Sequence, residues 1–301
     1  MRGCQSRTLL LIGLSWLAAP RQPEPQPRAE LDFDFATRQP IISTRVNGGR
    51  PVPFVVDTGA SINIVDETIA REAGLTGGVA RSMSGGGEGS FEARLVGPLK
   101  LEASGIAWDA QRAAVGRLGY PETKHFAGLL GAPILMRYAV QFDYDRRKLR
   151  LIDPAAYAPG AGAVLVPFDL QDDLPVVHAV VDAGTGPLDA RLMVDTGASQ
   201  FVDLNRPFVD AHRLLQAIPD AALTQRPAGL GGTAPVLYGT GRRVTLGGVT
   251  FDRPRLGLSQ AQAGSSSRGE RDGIIGNDLL RQFLVTVDYS RRTLVLEKGL
   301  R

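Results

Sequence analysis

The sequence is poor in cysteine: its 301 residues contain one, Cys4, which lies before the first apolar run. A chain that had lost this first segment would contain no thiol, so no disulfide could stabilise it. The same lack excludes a Cys-His catalytic pair, and no nucleophile-elbow motif offers a serine instead. The fold must therefore be stabilised by its core, and each half of the chain is long enough to bury one.

Histidine is also scarce, and no charge of one sign dominates. None of the three histidines has the spacing of a metal ligand set; they are His125, His178 and His212. We therefore predict no metal site and no cofactor. The net charge is +3, but the arginines are spread along the chain among Asp and Glu. This pattern is typical of a solvated surface and predicts no nucleic-acid partner.

No long membrane span is present at the start of the chain. The apolar run from Leu9 to Ala19 is too short to cross a bilayer comfortably. Arg2 and Arg7 precede it, which is the layout of a secretory signal peptide. Pro20 follows directly and disfavours cleavage, so an uncleaved membrane tether is the alternative. Residues 1–29 are predicted to be this signal or anchor, followed by a Pro-rich tether.

The sequence does contain one motif twice. Residues 54–61 are Phe-Val-Val-Asp-Thr-Gly-Ala-Ser, and residues 192–199 are Leu-Met-Val-Asp-Thr-Gly-Ala-Ser. A single Asp-Thr-Gly is often an ordinary turn at the end of a strand. Two copies with the same apolar lead-in are specific, because each half then supplies one carboxylate, Asp57 or Asp195. Two facing carboxylates are what an acid/base catalyst of this kind requires.

The rest of the chain repeats in the same order. Gly-Leu-Leu-Gly at 128–131 is matched by Gly-Ile-Ile-Gly at 273–276, and the strand pairs that close each half also match. Short strands with frequent turns and little helix predict an all-β fold. We place two β-barrel-like lobes at 30–155 and 164–301, joined by an Ala/Gly/Pro-rich linker at 156–163.

In combination, these motifs resemble the retropepsin-like aspartic proteases, in particular bacterial proteins that carry two such domains in tandem. The resemblance covers residues 31–299 and includes the short helix before the last strands of each half. It implies a bilobal acid-protease fold with pseudo-symmetric lobes, and an aspartic-type endopeptidase with Asp57 and Asp195 as catalytic residues. With the start of the chain, it predicts a periplasmic or secreted protein, or one anchored to the inner membrane.

The resemblance also implies roles for neighbouring residues. Thr58 and Thr196 would link the two loops beneath the carboxylates through hydroxyl-to-backbone hydrogen bonds. Gly59 and Gly197 would let backbone N–H groups approach the carboxylates. The glycine runs of the two halves are candidates for substrate-binding flaps rather than linkers; the candidate residues are Gly85, Gly86, Gly87, Gly231 and Gly232. An alternating strand pattern follows the first run, which excludes a dinucleotide-binding fingerprint.

The predicted chemistry uses one water held between two carboxylates that share one proton. The partner is a peptide or protein substrate, and the lobes are expected to pair within one monomer. Two alternatives remain at this stage: a bilobal module that binds peptides without cleaving them, and an obligate oligomer whose lobes pair between chains. Ala60 and Ala198 stand where pepsin-like enzymes usually have Ser or Thr, which predicts raised pKa values for the pair.

Overall fold

The computed structural model describes residues 27–119, 122, 124–227 and 229–299. The predicted signal segment and most of the Pro-rich tether, residues 1–26, lie outside the described residues. Within the described part of the chain, no helix is both long enough and apolar enough to cross a membrane.

The described residues of the first half form mainly strands, with two helices of one to two turns. Its strands are β1 (Ala29–Asp32), β2 (Ile41–Val46), β3 (Val52–Val56), β4 (Asn63–Asp66), β5 (Val79–Ser84), β6 (Ser90–Ala103), β7 (Ile106–Gly116), β8 (Gly128–Leu130), β9 (Ala139–Asp143) and β10 (Lys148–Ile152). Its helices are α1 (Glu67–Glu72) and α2 (Ala132–Leu135).

The second half has the same kind of elements in a similar order. Its strands are β11 (Val164–Gln171), β12 (Leu174–Asp182), β13 (Pro187–Val194), β14 (Val202–Leu204), β15 (Ala222–Pro227), β16 (Thr233–Thr240), β17 (Arg243–Leu246), β18 (Val249–Asp252), β19 (Arg255–Ser259), β20 (Gly273–Ile275), β21 (Phe283–Asp288) and β22 (Thr293–Lys298). Its helices are α3 (Arg206–Ala211), α4 (Leu214–Ala217) and α5 (Asn277–Leu280), with a 3₁₀ turn at Ser265–Ser267.

Local sequence accounts for several of these boundaries. Asn47 and Gly48 have φ values of 48° and 74°, as the type I′ turn between β2 and β3 requires. The Asp66 side chain accepts a hydrogen bond of 2.8 Å from the backbone N–H of Thr68 and so caps α1. Gly74, with φ of 70°, follows the end of that helix. The hairpin and the capped helix are where the sequence predicts them.

The strands form two sheets. Seven strands of the first half are ordered β2-β3-β8-β4-β7-β6-β5. The second sheet has 15 strands and includes the path β1-β10-β9-β21-β22-β11-β12-β13-β20-β14-β19-β16-β15. The fold is thus mostly β, with two lobes and short helices, as the sequence predicts.

The 15-stranded sheet contains strands of both halves, so the lobes are not two separate barrels. The strands that close the two halves, β9 and β21, pair antiparallel, with Phe142 opposite Val285. At the next position, the Gln141 side chain donates a hydrogen bond of 3.2 Å to the Thr286 hydroxyl. Each of these strands offers its neighbour an edge that would otherwise be unpaired. The lobes therefore share one continuous sheet, and the exact lobe limits of 30–155 and 164–301 stay a prediction.

Candidate active site

Each Asp-Thr-Gly motif directly follows a strand, and a parallel neighbouring strand accepts a hydrogen bond from the first residue of the motif. The Asp57 N–H, just after β3, donates a hydrogen bond of 3.0 Å to the Leu130 carbonyl at the end of β8. The Asp195 N–H, just after β13, donates one of 2.9 Å to the Ile275 carbonyl at the end of β20. The apolar pairs before Gly131 and Gly276 thus lie behind the two loops, as the resemblance implies.

The two loops are joined by a reciprocal set of buried hydrogen bonds. The Thr58 hydroxyl donates to the Val194 carbonyl at 2.7 Å and accepts from the Thr196 N–H at 3.0 Å. The Thr196 hydroxyl donates to the Val56 carbonyl at 2.7 Å and accepts from the Thr58 N–H at 3.1 Å. These are the hydroxyl-to-backbone bonds that the resemblance implies. Four backbone groups in a buried region thus find hydrogen-bond partners across the lobe boundary.

The glycines of the motifs place each carboxylate against the opposite loop. The Gly59 N–H donates to Asp57 Oδ1 at 2.8 Å, and the Gly197 N–H donates to Asp195 Oδ1 at 2.8 Å. A Cβ atom on Gly59 would lie 2.6 Å from Cγ of Asp195, and one on Gly197 would lie 2.6 Å from Cγ of Asp57. Only a residue without a side chain fits at either position. The structure therefore brings Asp57 and Asp195 together.

This environment changes the acidity of the pair. Burial raises the pKa of Asp57 well above its usual range, and the negative charge of Asp195 raises it further. A hydrogen bond with the Asp195 side chain acts in the same direction, while the N–H groups of Gly59 and Gly197 lower the pKa. Two carboxylates so placed cannot both ionise easily, so the pair retains one proton at a pH where free aspartate has lost it.

Asn277 supports the second loop and was not predicted from the sequence. Its amide nitrogen donates to the carbonyls of Thr196 at 2.7 Å and Arg38 at 2.9 Å. Its amide oxygen accepts a hydrogen bond of 2.8 Å from the Tyr144 hydroxyl. Asn277 is fully buried, so these bonds tie the Asp195 loop to the first lobe. The signal that could have revealed it is local: Ala132 follows Gly131 where Asn277 follows Gly276.

The predicted flap glycines lie at two hairpin tips that meet. Gly85, Gly86 and Gly87 are in the tip between β5 and β6, and Gly231 and Gly232 are in the tip between β15 and β16. The Gly87 N–H donates to the Leu230 carbonyl at 2.9 Å, and the Gly89 N–H donates to the Gly231 carbonyl at 2.8 Å. The tips form a second contact between the lobes, apart from the aspartate loops.

A third segment joins the tips. The Ser265 N–H donates a hydrogen bond of 2.8 Å to the Gly85 carbonyl. The Glu88 side chain accepts one of 2.6 Å from the Gln262 N–H, and the Arg268 side chain donates one of 3.1 Å to the Ser84 hydroxyl. Sequence reasoning missed this loop, because residues 260–268 form no motif and their partners lie more than 170 positions away.

Comparisons with known proteins agree with this geometry. Residues 42–134 match the family model described as aspartyl protease, so the match includes Asp57 and most of the first lobe. A search of curated proteins finds no match. The fold is similar to the crystal structure of aspartic proteinase from Irpex lacteus, with 15% sequence identity and a TM-score of 0.55. That similarity covers 90% of this chain and 97% of the other, so both lobes are included. The family model thus matches most of the first lobe, and the structural similarity shows an aspartic-proteinase fold over both lobes.

Proposed function

We propose that this chain is an aspartic endopeptidase in which Asp57 and Asp195 activate one water molecule. The observation that carries the proposal is the mutual packing of each carboxylate on the glycine of the opposite loop. Such packing places two acids side by side at the junction of two lobes. Two adjacent carboxyl groups can act as acid and base in one reaction. A loop with a purely structural role would not require the two groups to be adjacent.

The proposed steps balance in protons. The ionised carboxylate removes a proton from the water, and the water oxygen attacks the carbonyl carbon of the scissile amide. The protonated carboxyl donates its hydrogen bond, and then its proton, to the carbonyl oxygen. As the tetrahedral intermediate collapses and its C–N bond breaks, the protonated carboxyl gives its proton to the leaving amine nitrogen. The ionised carboxylate takes the proton of one hydroxyl of the intermediate, so the product acid forms and the pair again holds one proton. The raised pKa of Asp57 supports this scheme, because one proton must stay on the pair in the resting enzyme.

The hairpin tips are proposed to cover a bound peptide. Backbone hydrogen bonds at Gly87 and Gly89 join the two tips. The tips would therefore have to separate before an extended peptide could enter. Lids of this kind exclude water from the reacting groups and open on slower timescales than the chemistry. The Ser265 segment, bonded to Gly85, would move with them or release them.

The test uses two inactive variants, Asp57→Asn and Asp195→Asn, with a random peptide library and pepstatin as inhibitor. The wild-type chain should cleave peptides, pepstatin should block cleavage, and each variant should be inactive while it stays folded. A mixture of the two variants should also be inactive, because the lobes pair within one chain. Recovered activity on mixing would instead indicate pairing between chains. Peptide binding without any turnover by the wild type would favour the non-catalytic binding module.

We also propose that the protein is exported, on the basis of the arginines and apolar run before residue 20. Fractionation of cells that express the full chain, or a chain without residues 1–28, tests this. The full chain should reach the periplasm or membrane fraction, and the shortened chain should stay in the cytoplasm as a folded protein. Cytoplasmic recovery of both chains contradicts export and leaves the peptidase proposal unaffected.

A further inference from the structure

The two closing strands are related by a local pseudo-two-fold axis. β9 and β21 pair antiparallel, with Gln141 opposite Thr286 at the centre of their register. Tyr144 is three residues after Gln141, and Tyr289 is three residues after Thr286. The two tyrosines therefore occupy equivalent positions, and both are buried in the main core.

The first turns of α2 and α5 are equivalent as well. The residue before each helix is a glycine, with φ of −112° before α2 and −111° before α5. The next N–H group makes the same bond in both halves: Ala132 donates to the Ala60 carbonyl at 2.9 Å, and Asn277 donates to the Ala198 carbonyl at 2.8 Å. Ala132 and Asn277 thus share one backbone position, with a methyl group in one half and an amide in the other.

In the second half, this amide is part of a chain of hydrogen bonds that ends at the carboxylate. The Tyr144 hydroxyl donates to Asn277 Oδ1 at 2.8 Å, and Asn277 Nδ2 donates to the Thr196 carbonyl at 2.7 Å. That carbonyl and the Gly197 N–H belong to one peptide unit, and the N–H donates to Asp195 Oδ1 at 2.8 Å. A hydrogen bond to the carbonyl polarises the peptide unit, so its N–H becomes a stronger donor to the carboxylate.

In the first half, the same chain is interrupted at Ala132. The Gly59 N–H donates to Asp57 Oδ1 at 2.8 Å, and the Thr58 carbonyl belongs to that peptide unit. The Ala132 methyl group can neither donate to this carbonyl nor accept from a hydroxyl. Among the residues that the structure describes, the buried Tyr289 hydroxyl has no hydrogen-bond partner. A buried hydroxyl without a partner is costly, so this one requires an explanation.

The Tyr289 hydroxyl is close enough to Asp57 to feel its charge. Burial raises the pKa of Tyr289, and the negative charge of Asp57 raises it further, so the hydroxyl keeps its proton. Asp288, the preceding residue, pairs with Arg291 at 2.6 Å. The other charged side chains on the elements around Tyr289 are exposed; they are Arg137, Asp169, Asp172, Asp173 and Arg292. Asp57 is the ionisable group whose charge acts on this hydroxyl.

Resting on the proposed peptidase function, we propose that Tyr289 is a positioning residue for Asp57 and acts through one buried water molecule. The water occupies the place that the Asn277 amide has in the other half. It accepts a hydrogen bond from the Tyr289 hydroxyl and donates one to the Thr58 carbonyl. A water molecule needs roughly 30 Å³, which is about the size of an amide group.

A third partner for this water is the Asp173 carbonyl. Asp173 corresponds to Arg38, whose carbonyl accepts from the Asn277 amide at 2.9 Å. The two residues have φ values of 64° and 61°, so their backbone turns are alike. With this bond the water has three partners, which is about the number that buried water usually has.

The water completes the hydrogen-bond chain to Asp57. It polarises the peptide unit between Thr58 and Gly59, and the Gly59 N–H then binds the ionised form of Asp57 more strongly. Stabilising the ionised form lowers the pKa of the pair. Tyr289 thus helps the pair to lose its first proton at mildly acidic pH, although it touches neither the substrate nor the reacting water.

A crystal structure of the full chain tests the water directly. An ordered water should lie roughly 2.5–3.0 Å from both the Tyr289 hydroxyl and the Thr58 carbonyl oxygen. In Ala132→Asn, the amide should replace this water and make both bonds itself, because the backbone at Ala132 matches that at Asn277. A dry site, or a Tyr289 hydroxyl bonded directly to a protein group, overturns the proposal.

The acidity of the pair is measured by ¹³C NMR titration of aspartate-labelled chains, with the signals assigned by their loss in Asp57→Asn. Tyr289→Phe leaves the water with two partners and should raise the lower apparent pKa of the pair by about half a pH unit. In the Ala132→Asn background, the same substitution should have little effect, because the amide still donates to the Thr58 carbonyl.

Tyr144→Phe is the matched control at the equivalent position. Asn277 keeps its bond to the Thr196 carbonyl in this variant, so the apparent pKa values of the pair should hardly move. Equal changes in Tyr289→Phe and Tyr144→Phe, or an undiminished change in the Ala132→Asn background, would overturn the proposal. Neither the crystal structure nor the titration requires turnover, so absent cleavage by the wild type would refute the peptidase function alone.

Discussion

Gly59 and Asp195 are in direct contact across the two lobes. The position of a Cβ on Gly59 is 2.6 Å from Cγ of Asp195, closer than any unbonded carbon pair tolerates. The same relation joins Gly197 to Asp57. The distance between the two carboxylates is therefore set by backbone packing, which is more rigid than the rotamers of the side chains.

Gly59→Ala should displace the Asp195 carboxylate and reduce kcat/KM by about 100-fold or more, as misplacement of a reacting group by about 1 Å does. Gly269→Ala is the matched control, because its Cβ would be 3.8 Å from the nearest atom, Cβ of Pro207. Steady-state kinetics and thermal unfolding of both variants check this. Activity near the wild-type level in a folded Gly59→Ala chain would contradict it.

Thr58→Val should destabilise the protein by about 2–5 kcal/mol, because it leaves the Val194 carbonyl and the Thr196 N–H buried without partners. Thr58→Ser keeps the hydroxyl and should recover most of this loss. Urea unfolding gives both values. Thr250→Val, which removes an exposed hydroxyl on β18, should change stability by less than about 0.5 kcal/mol. A similar loss in the Val and Ser variants at 58 would refute the hydrogen-bond explanation.

Stability should depend on pH through Asp57. Burial and the Asp195 charge raise the pKa of Asp57 in the folded chain, so folding retains a proton that the unfolded chain loses near about pH 4. The stabilisation from this proton is complete below that pH and declines as pH rises through the raised pKa. Asp57→Asn should therefore stabilise the protein at neutral pH relative to the wild type, and less so at pH 3. Thermal unfolding between pH 3 and 8 measures the difference; a constant difference would contradict this prediction.

The pH profile of activity should respond to Ala60. Activity requires one proton on the pair, so it should be maximal at mildly acidic pH and fall toward alkaline pH. Ala60→Ser adds a hydroxyl beside the loop that can donate to the ionised carboxylate and lower its pKa. The profile of kcat/KM should then shift toward acid. No shift, or a shift toward neutral pH, would count against this role.

The hairpin tips offer a matched pair of glycines. Gly231 and Gly232 have φ values of 84° and 89°, so alanine is strained at both. Only at Gly231 would the added Cβ also collide with the Gly89 carbonyl of the opposite tip. Gly231→Ala should weaken peptide binding by about tenfold more than Gly232→Ala, which corresponds to about 1.4 kcal/mol. Equal effects would mean that contact between the tips plays no part in binding.

Asn277→Ala should destabilise the protein by about 3 kcal/mol or more, because three buried polar groups lose their partner. Tyr144→Phe removes one of these hydrogen bonds and should cost about 1 kcal/mol. Activity should fall more in Asn277→Ala than in Tyr144→Phe, since only the first frees the Thr196 carbonyl. Denaturant unfolding and kcat/KM are measured for both variants. Equal losses of activity in the two variants would refute the role of Asn277 in supporting the Asp195 loop.

The amino-acid sequence alone determined the two Asp-Thr-Gly motifs, the order of the repeat, the hairpin at Asn47 and the cap at Asp66. These features depend on residues that are neighbours in the chain. Strand alternation, turn conformation and helix capping are set by local backbone preferences, so a reading of consecutive residues finds them. The repeat also predicted one carboxylate in each half.

Only the tertiary structure decided how the halves meet. Asn277 bonds to Arg38, Gly87 bonds to Leu230, and β9 pairs with β21, all across more than 140 positions of sequence. The strand registers likewise decide that Ile64 on β4 and Asp203 on β14 occupy corresponding positions of the two lobes. No local preference encodes such contacts, because they form when two complementary surfaces pack and satisfy each other's buried groups.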